Sequence, residues 1–136
     1  VNILGGFTVT VNVNSACATL QIGGTAANGA TTAGALTLAA GFTLTVSGNV
    51  QLGGDGDGNR DGTITFASGS TLDAGSVTLG GPGGTPGQGT ITVTAGGTLK
   101  TGSLDVGAGS NTWTPGTGTV ELNASNTLPG APFTSF

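Results

Sequence analysis

A motif of nearly 28 residues recurs along this 136-residue chain, and a fixed period of that length restricts its fold more than any other feature. Three copies align almost without gaps, beginning at Gly34, Gly62 and Gly89, and a fourth match runs from Gly118 to Leu128, where it stops short. The starts are 28, 27 and 29 residues apart. Ala18-Thr-Leu-Gln-Ile-Gly-Gly24 matches the tail of the same unit one copy earlier.

Each copy holds three short apolar-alternating pieces. The first reads Leu36-Thr37-Leu38, Ile64-Thr65-Phe66, Ile91-Thr92-Val93 and Val120-Glu121-Leu122. The second centres on Thr43-Leu44, Thr71-Leu72, Thr98-Leu99 and Thr127-Leu128, and the third is Val50-Gln51-Leu52, Val77-Thr78-Leu79 and Leu104-Asp105-Val106. Alternation with period two puts the apolar members on one face of a strand, and glycines at the joints permit tight corners. Antiparallel sandwiches also use short strands, but they do not repeat one sequence on one register.

The expectation is a single all-β domain over residues 1–136. It is a parallel β-solenoid (β-helix), right-handed by the crossover preference, of about four to five coils with a 27–29 residue repeat. Its coils stack about 4.8 Å apart. Leu44, Leu72, Leu99 and Leu128 then line an interior column. Thr43, Thr71, Thr98 and Thr127 form an exterior one, as do Thr37, Thr65, Thr92 and Glu121. Thr45, Asp73 and Lys100 are equivalent, which sets the sole Lys one coil from an Asp. The variable joints Thr25–Ala33, Asp55–Asp61, Pro82–Gln88 and Ser110–Thr117 fall at one place in the repeat and emerge together, where binding on a regular scaffold resides.

Composition narrows the function. Gly, Thr, Ser and Asn make up 72 of the 136 residues; charged residues are 6%, with six acids against two bases and a net charge of −4. Two bases do not build a phosphate-binding surface, which excludes nucleic acid as a partner. One Cys and no His exclude the usual zinc sites. Acid–base catalysis has neither imidazole nor phenol to use. The carboxylates Asp73, Asp105 and Glu121 fall on different strands without a base or nucleophile beside them, so no enzyme is expected. No apolar run approaches the roughly 20 residues of a membrane span. The scarcity of Lys points to a secreted or cell-surface protein. The opening Val1-Asn2-Ile3-Leu4, without Met or a basic region, points to a mature or excised segment, and the domain is expected to be a segment or a subunit of a longer fibre.

Four local features bear on binding. From Asp57, the segment Asp55-Gly-Asp-Gly-Asn-Arg-Asp-Gly-Thr-Ile64 matches the opening of an EF-hand-type calcium loop. Asp57, Asn59 and Asp61 alternate, Thr63 offers a carbonyl and Asp55 a further oxygen; a hard cation needs such converging oxygens. Position twelve is Ser68 instead of a bidentate Glu, and a solvated turn accounts for the same residues. No cofactor other than this Ca2+ is implied. Trp113 stands in the loop context Asn111-Thr-Trp-Thr-Pro-Gly116, where it either stacks on a sugar or partner, or lies on its own scaffold and staples the loop. Cys17, between two alanines, reads as a small buried hydrophobe, with an intermolecular disulfide as the alternative. Thr63/Thr65 and Thr90/Thr92 form rows of the kind that organise water on ice-binding solenoids, but Ala35/Thr37 and Thr119/Glu121 break the double column.

Three phrases carry a resemblance: Thr10-Val-Asn-Val-Asn-Ser-Ala-Cys-Ala-Thr-Leu-Gln-Ile-Gly23, Phe42-Thr-Leu-Thr-Val-Ser-Gly-Asn-Val50 and Trp113-Thr-Pro-Gly-Thr-Gly-Thr-Val-Glu-Leu-Asn123. The chain resembles, over nearly its whole length, the repeat regions of large secreted surface proteins of Bacteroidetes-type bacteria. That resemblance implies an extracellular, adhesin-like or fibrous β-solenoid. The expected function is therefore structural or adhesive, with head-to-tail self-association into a fibre and a glycan or surface ligand as further partner. Phe133 and Phe136 are placed to fill the neighbouring copy's groove. Ice binding, or carbohydrate binding or cleavage, is the alternative.

Overall fold

The computed structural model describes residues 1–24, 33–54, 60–81, 87–127 and 129–130. Strand β1 (Asn2–Leu4) precedes a first coil of β2 (Thr8–Val11), β3 (Ser15–Cys17) and β4 (Leu20–Gly24). The next three coils each hold a short and a long strand: β5 (Gly34–Leu38) and β6 (Thr43–Leu52), β7 (Gly62–Phe66) and β8 (Thr71–Leu79), β9 (Gly89–Thr92) and β10 (Thr98–Val106). A last coil contributes β11 (Thr112–Thr114) and β12 (Thr119–Leu122). Every strand pairing among the described residues is parallel. One sheet runs β1-β4-β6-β8-β10-β12, with β3 also on β6, and the other runs β2-β5-β7-β9-β11. The molecule is a parallel β-solenoid.

The repeat dictates this packing residue by residue. In the larger sheet Leu44, Leu72 and Leu99 are register partners, as are Val50, Val77 and Leu104. Leu52 and Leu79 stack likewise, with Ile22 below them. Across the core, Leu36, Ile64 and Ile91 form the facing column. Nearly all of these side chains are wholly withdrawn from solvent. Since a fully buried Leu or Ile is stabilised by roughly 1.5–3 kcal/mol relative to exposure, stacked aliphatics are the main source of cohesion.

The long strands keep both halves turned inward because their alternation slips once. In β8 the buried residues are Leu72 and Ala74, then Val77 and Leu79, with Gly75-Ser76 between them. Gly102 lies opposite Gly75 in the neighbouring coil. A Cβ on Gly75 would stand 2.7 Å from the Ser47 carbonyl oxygen, and one on Gly102 would stand 2.6 Å from that of Gly75. The coils approach so closely at this column that only glycine fits.

The last coil departs from the expected spacing. Thr112, Trp113 and Thr114 pair with Thr90, Ile91 and Thr92, so Trp113 follows its partner by 22 residues. Thr119, Val120, Glu121 and Leu122 pair with Thr98, Leu99, Lys100 and Thr101, a separation of 21. Ser110–Thr117 is thus no joint loop but contains the first strand of this coil. Val120, in place of Leu128, continues the Leu44–Leu72–Leu99 column, and Thr119, in place of Thr127, continues the Thr43 column. Glu121 belongs beside Lys100 and not above Thr92. The match of Gly118-Thr-Val-Glu to Gly89-Thr-Ile-Thr misled because Gly97-Thr-Leu-Lys, in the second strand, carries the same pattern.

Shortening the joint also removes a backbone acceptor, and a side chain replaces it. The Gly34 N–H donates to the Asp61 carbonyl at 2.9 Å, and that of Gly62 to the Gln88 carbonyl at 2.8 Å. One coil on, the Gly89 N–H donates to Asn111 Oδ1 at 2.8 Å. The Asn111 amide donates in turn to the Gly107 carbonyl at 3.2 Å.

Candidate functional site

Of the calcium-type segment, Asp55, Asp57 and Asn59 lie outside the described residues. Asp61 uses Oδ1 to accept the Gln88 backbone N–H at 2.7 Å, tying one coil to the next. Thr63 sits in β7, in register with Ala35 and Thr90. Among the described residues no three His, Cys, Asp or Glu side chains gather as a metal would require. Phe133 and Phe136 also lie outside the described residues. Trp113 is found in a strand instead of a loop, only 8% exposed and packed in the core cluster. Cys17 is a free, half-buried thiol against the same cluster.

The outer face of the larger sheet carries Asp73, Lys100, Asp105 and Glu121. Asp73 and Glu121 flank Lys100 in one column, and Lys100 Nζ lies 3.3 Å from Glu121 Oε1. Asp105, exposed, is in register with Thr78 instead. Nearby, Ser76 and Thr78 both donate to Asn49 Oδ1, at 3.0 and 3.4 Å, and Gln51 Nε2 donates to the Gly80 carbonyl at 2.7 Å. These polar groups bind the coils to one another.

The outer face of the five-stranded sheet is different in kind. Its first row holds Thr8, Ala35, Thr63, Thr90 and Thr112, and its second Thr10, Thr37, Thr65, Thr92 and Thr114. Nine of the ten positions are threonine, and the second row is unbroken. None of the ten is buried. Ala35 interrupts the first row, as the sequence indicates, but the second break it indicates, Thr119/Glu121, is absent: Thr112/Thr114, aligned by the shorter spacing, stands there instead. Thr8/Thr10 is equally legible from the period of 27 that separates it from Ala35/Thr37.

The third feature is the end formed by the first coil. Val1, Phe7, Val9 and Val13 are 68%, 64%, 43% and 57% exposed. Val9 is the register partner of fully enclosed Leu36, so its side chain belongs to an interior column that lies open here. A cavity of about 220 Å³ opens between Val9, Val11, Val13, Cys17, Leu20 and Leu44. Strands β2 and β3 also form sheet edges at this end, each paired on one side alone among the described residues. Exposed apolar side chains beside unpaired strand edges make a surface that favours association.

No helix among the described residues is long and apolar enough to cross a membrane. In comparisons with known proteins, the chain matches no family model, no curated protein and no solved structure.

Proposed function

We propose that the chain is a structural, adhesive β-solenoid of an extracellular surface fibre, extended by head-to-tail stacking of copies. The apolar opening around Val9, beside the free edges of β2 and β3, carries this reading. Because every pairing among the described residues is parallel, a second solenoid continues that same pairing pattern only if its strands run the same way. Translation along the axis achieves this, and a two-fold rotation that reverses the strands does not. The columns match as well: Thr112-Trp-Thr114 of one copy presents the same threonine-apolar-threonine order as Thr8-Val-Thr10 of the next. Trp113 would then close the column that Val9 leaves open, and a heterologous contact of this kind does not close on itself.

The low content of Lys and the repeat phrases quoted above favour a surface location. Light scattering after size exclusion, with negative-stain imaging, tests the assembly. Concentration-dependent fibres or end-to-end oligomers are expected, and Val9→Lys and Phe7→Ser are expected to shorten or abolish them. A 12.8 kDa monomer persisting at high concentration removes the proposal.

A further inference from the structure

We infer that the threonine face of the five-stranded sheet binds ice. The inference uses a surface separate from the open end and stands whether or not copies stack.

Four properties of the face point to an ordered, uncharged water lattice as its occupant. The first is geometry. Parallel strands about 4.8 Å apart, with alternate residues about 6.6 Å apart along each strand, set the nine threonines on a near-rectangular grid. That grid is close to the repeat of water oxygens on a prism plane of hexagonal ice. The second is stiffness. A β-branched side chain has few χ1 states, so a row of stacked threonines pays little ordering entropy when it meets a lattice. Repeated side-chain ladders are also what holds a sheet flat over several strands.

The third property is charge. Asp73, Lys100, Asp105 and Glu121 belong to the other sheet, the ten grid positions hold no charged residue, and Asp61, two residues before Thr63 and outside the grid, has its Oδ1 engaged by the Gln88 N–H. A charged group orients water around itself and opposes the lattice order, whereas Thr offers one hydroxyl and one methyl group to each lattice site. The fourth is availability. The nine hydroxyls form no hydrogen bond with another described residue, unlike those of Thr78 and Thr101, which bond within the fold. A sugar-binding face on this surface lacks an aromatic platform, since the two aromatics on these strand segments, Phe66 and Trp113, are both turned into the core.

Thermal hysteresis and ice shaping by the 136-residue chain, measured by nanolitre osmometry, test the inference directly. The wild-type chain is expected to facet ice and to depress its growth temperature. Thr65→Tyr, in the middle of the unbroken row, is expected to abolish both, and Thr92→Val, which keeps the shape and removes a hydroxyl, to weaken them. Thr45→Tyr, on the exposed outer face of the charged sheet, is expected to retain full activity. Matched circular dichroism melts confirm that each variant folds. Absence of hysteresis and shaping in the folded wild-type chain overturns the inference, as does equal loss from Thr65→Tyr and Thr45→Tyr. Glycan-array binding that is lost on Thr65→Tyr, without any effect on ice, overturns it in favour of a carbohydrate ligand.

Discussion

The Lys100 ammonium lies 3.3 Å from the Glu121 carboxylate, although Asp73 is its register partner on the opposite side. The pair joins the fourth coil to the fifth, with side chains 35% and 51% exposed. Exposed pairs of this kind contribute at most about 1 kcal/mol, so Glu121→Gln is expected to lower stability by less than that. Lys100→Glu places three acids in one column and should cost more, since like charges on facing strands repel. Denaturant melts at low and high salt check this: the Lys100→Glu deficit shrinks as salt screens the repulsion.

Most of the fold is legible in the sequence because a solenoid has one rule, that residues one period apart stack. Leu44, Leu72 and Leu99, and Thr45, Asp73 and Lys100, fall where that rule puts them. Legibility fails where the period changes. Gly118-Thr-Val-Glu resembles both the first and the second strand of a unit, and only backbone pairing, with Thr119 N–H donating to the Gly97 carbonyl at 2.8 Å, decides between them. That one slip hides the place of Trp113 and breaks the threonine rows. The open first-coil end is hidden for another reason: Val9 alternates like any core residue, and among the described residues β2 is paired on one side alone.

Trp113 offers a spectroscopic check because it is the only tryptophan. Packed in the core cluster, it is expected to emit at blue-shifted wavelengths and to resist acrylamide quenching. Trp113→Ala should cost about 3–5 kcal/mol, the range for removing a large buried aromatic. Emission and quenching like those of free tryptophan would place the side chain in solvent and contradict the strand assignment.

Asn111→Ala tests the side-chain substitute for a missing coil. The variant leaves the buried Gly89 N–H without its 2.8 Å acceptor. An unsatisfied buried donor costs about 1–3 kcal/mol, so a fall in stability of that size is expected in urea unfolding. Asn111→Asp retains an acceptor for Gly89 but loses the donation to the Gly107 carbonyl, and is expected to fall between wild type and Asn111→Ala. Equal stability of wild type and Asn111→Ala would show that water replaces the amide without cost.

Gly41 and Gly75 separate two reasons for a glycine. Gly41 has φ of 78° and open space around the position of a Cβ. Gly41→Ala therefore meets only the left-handed backbone penalty of about 1–2 kcal/mol, and Gly41→Asn less, because Asn tolerates that conformation. At Gly75 the space itself is missing, with the Ser47 carbonyl oxygen 2.7 Å from the position of a Cβ. That oxygen belongs to the backbone of the preceding coil, so relief requires the coils to separate and disturbs the stacked columns on either side. Gly75→Ala is expected to lose more stability than Gly41→Ala, at least the roughly 1–3 kcal/mol of an overpacked core, and Gly75→Val more again. Thermal melts of the three alanine and asparagine variants beside wild type give the ranking. If Gly75→Ala proves as stable as Gly41→Ala, the coils are further apart at this column than the described contact requires.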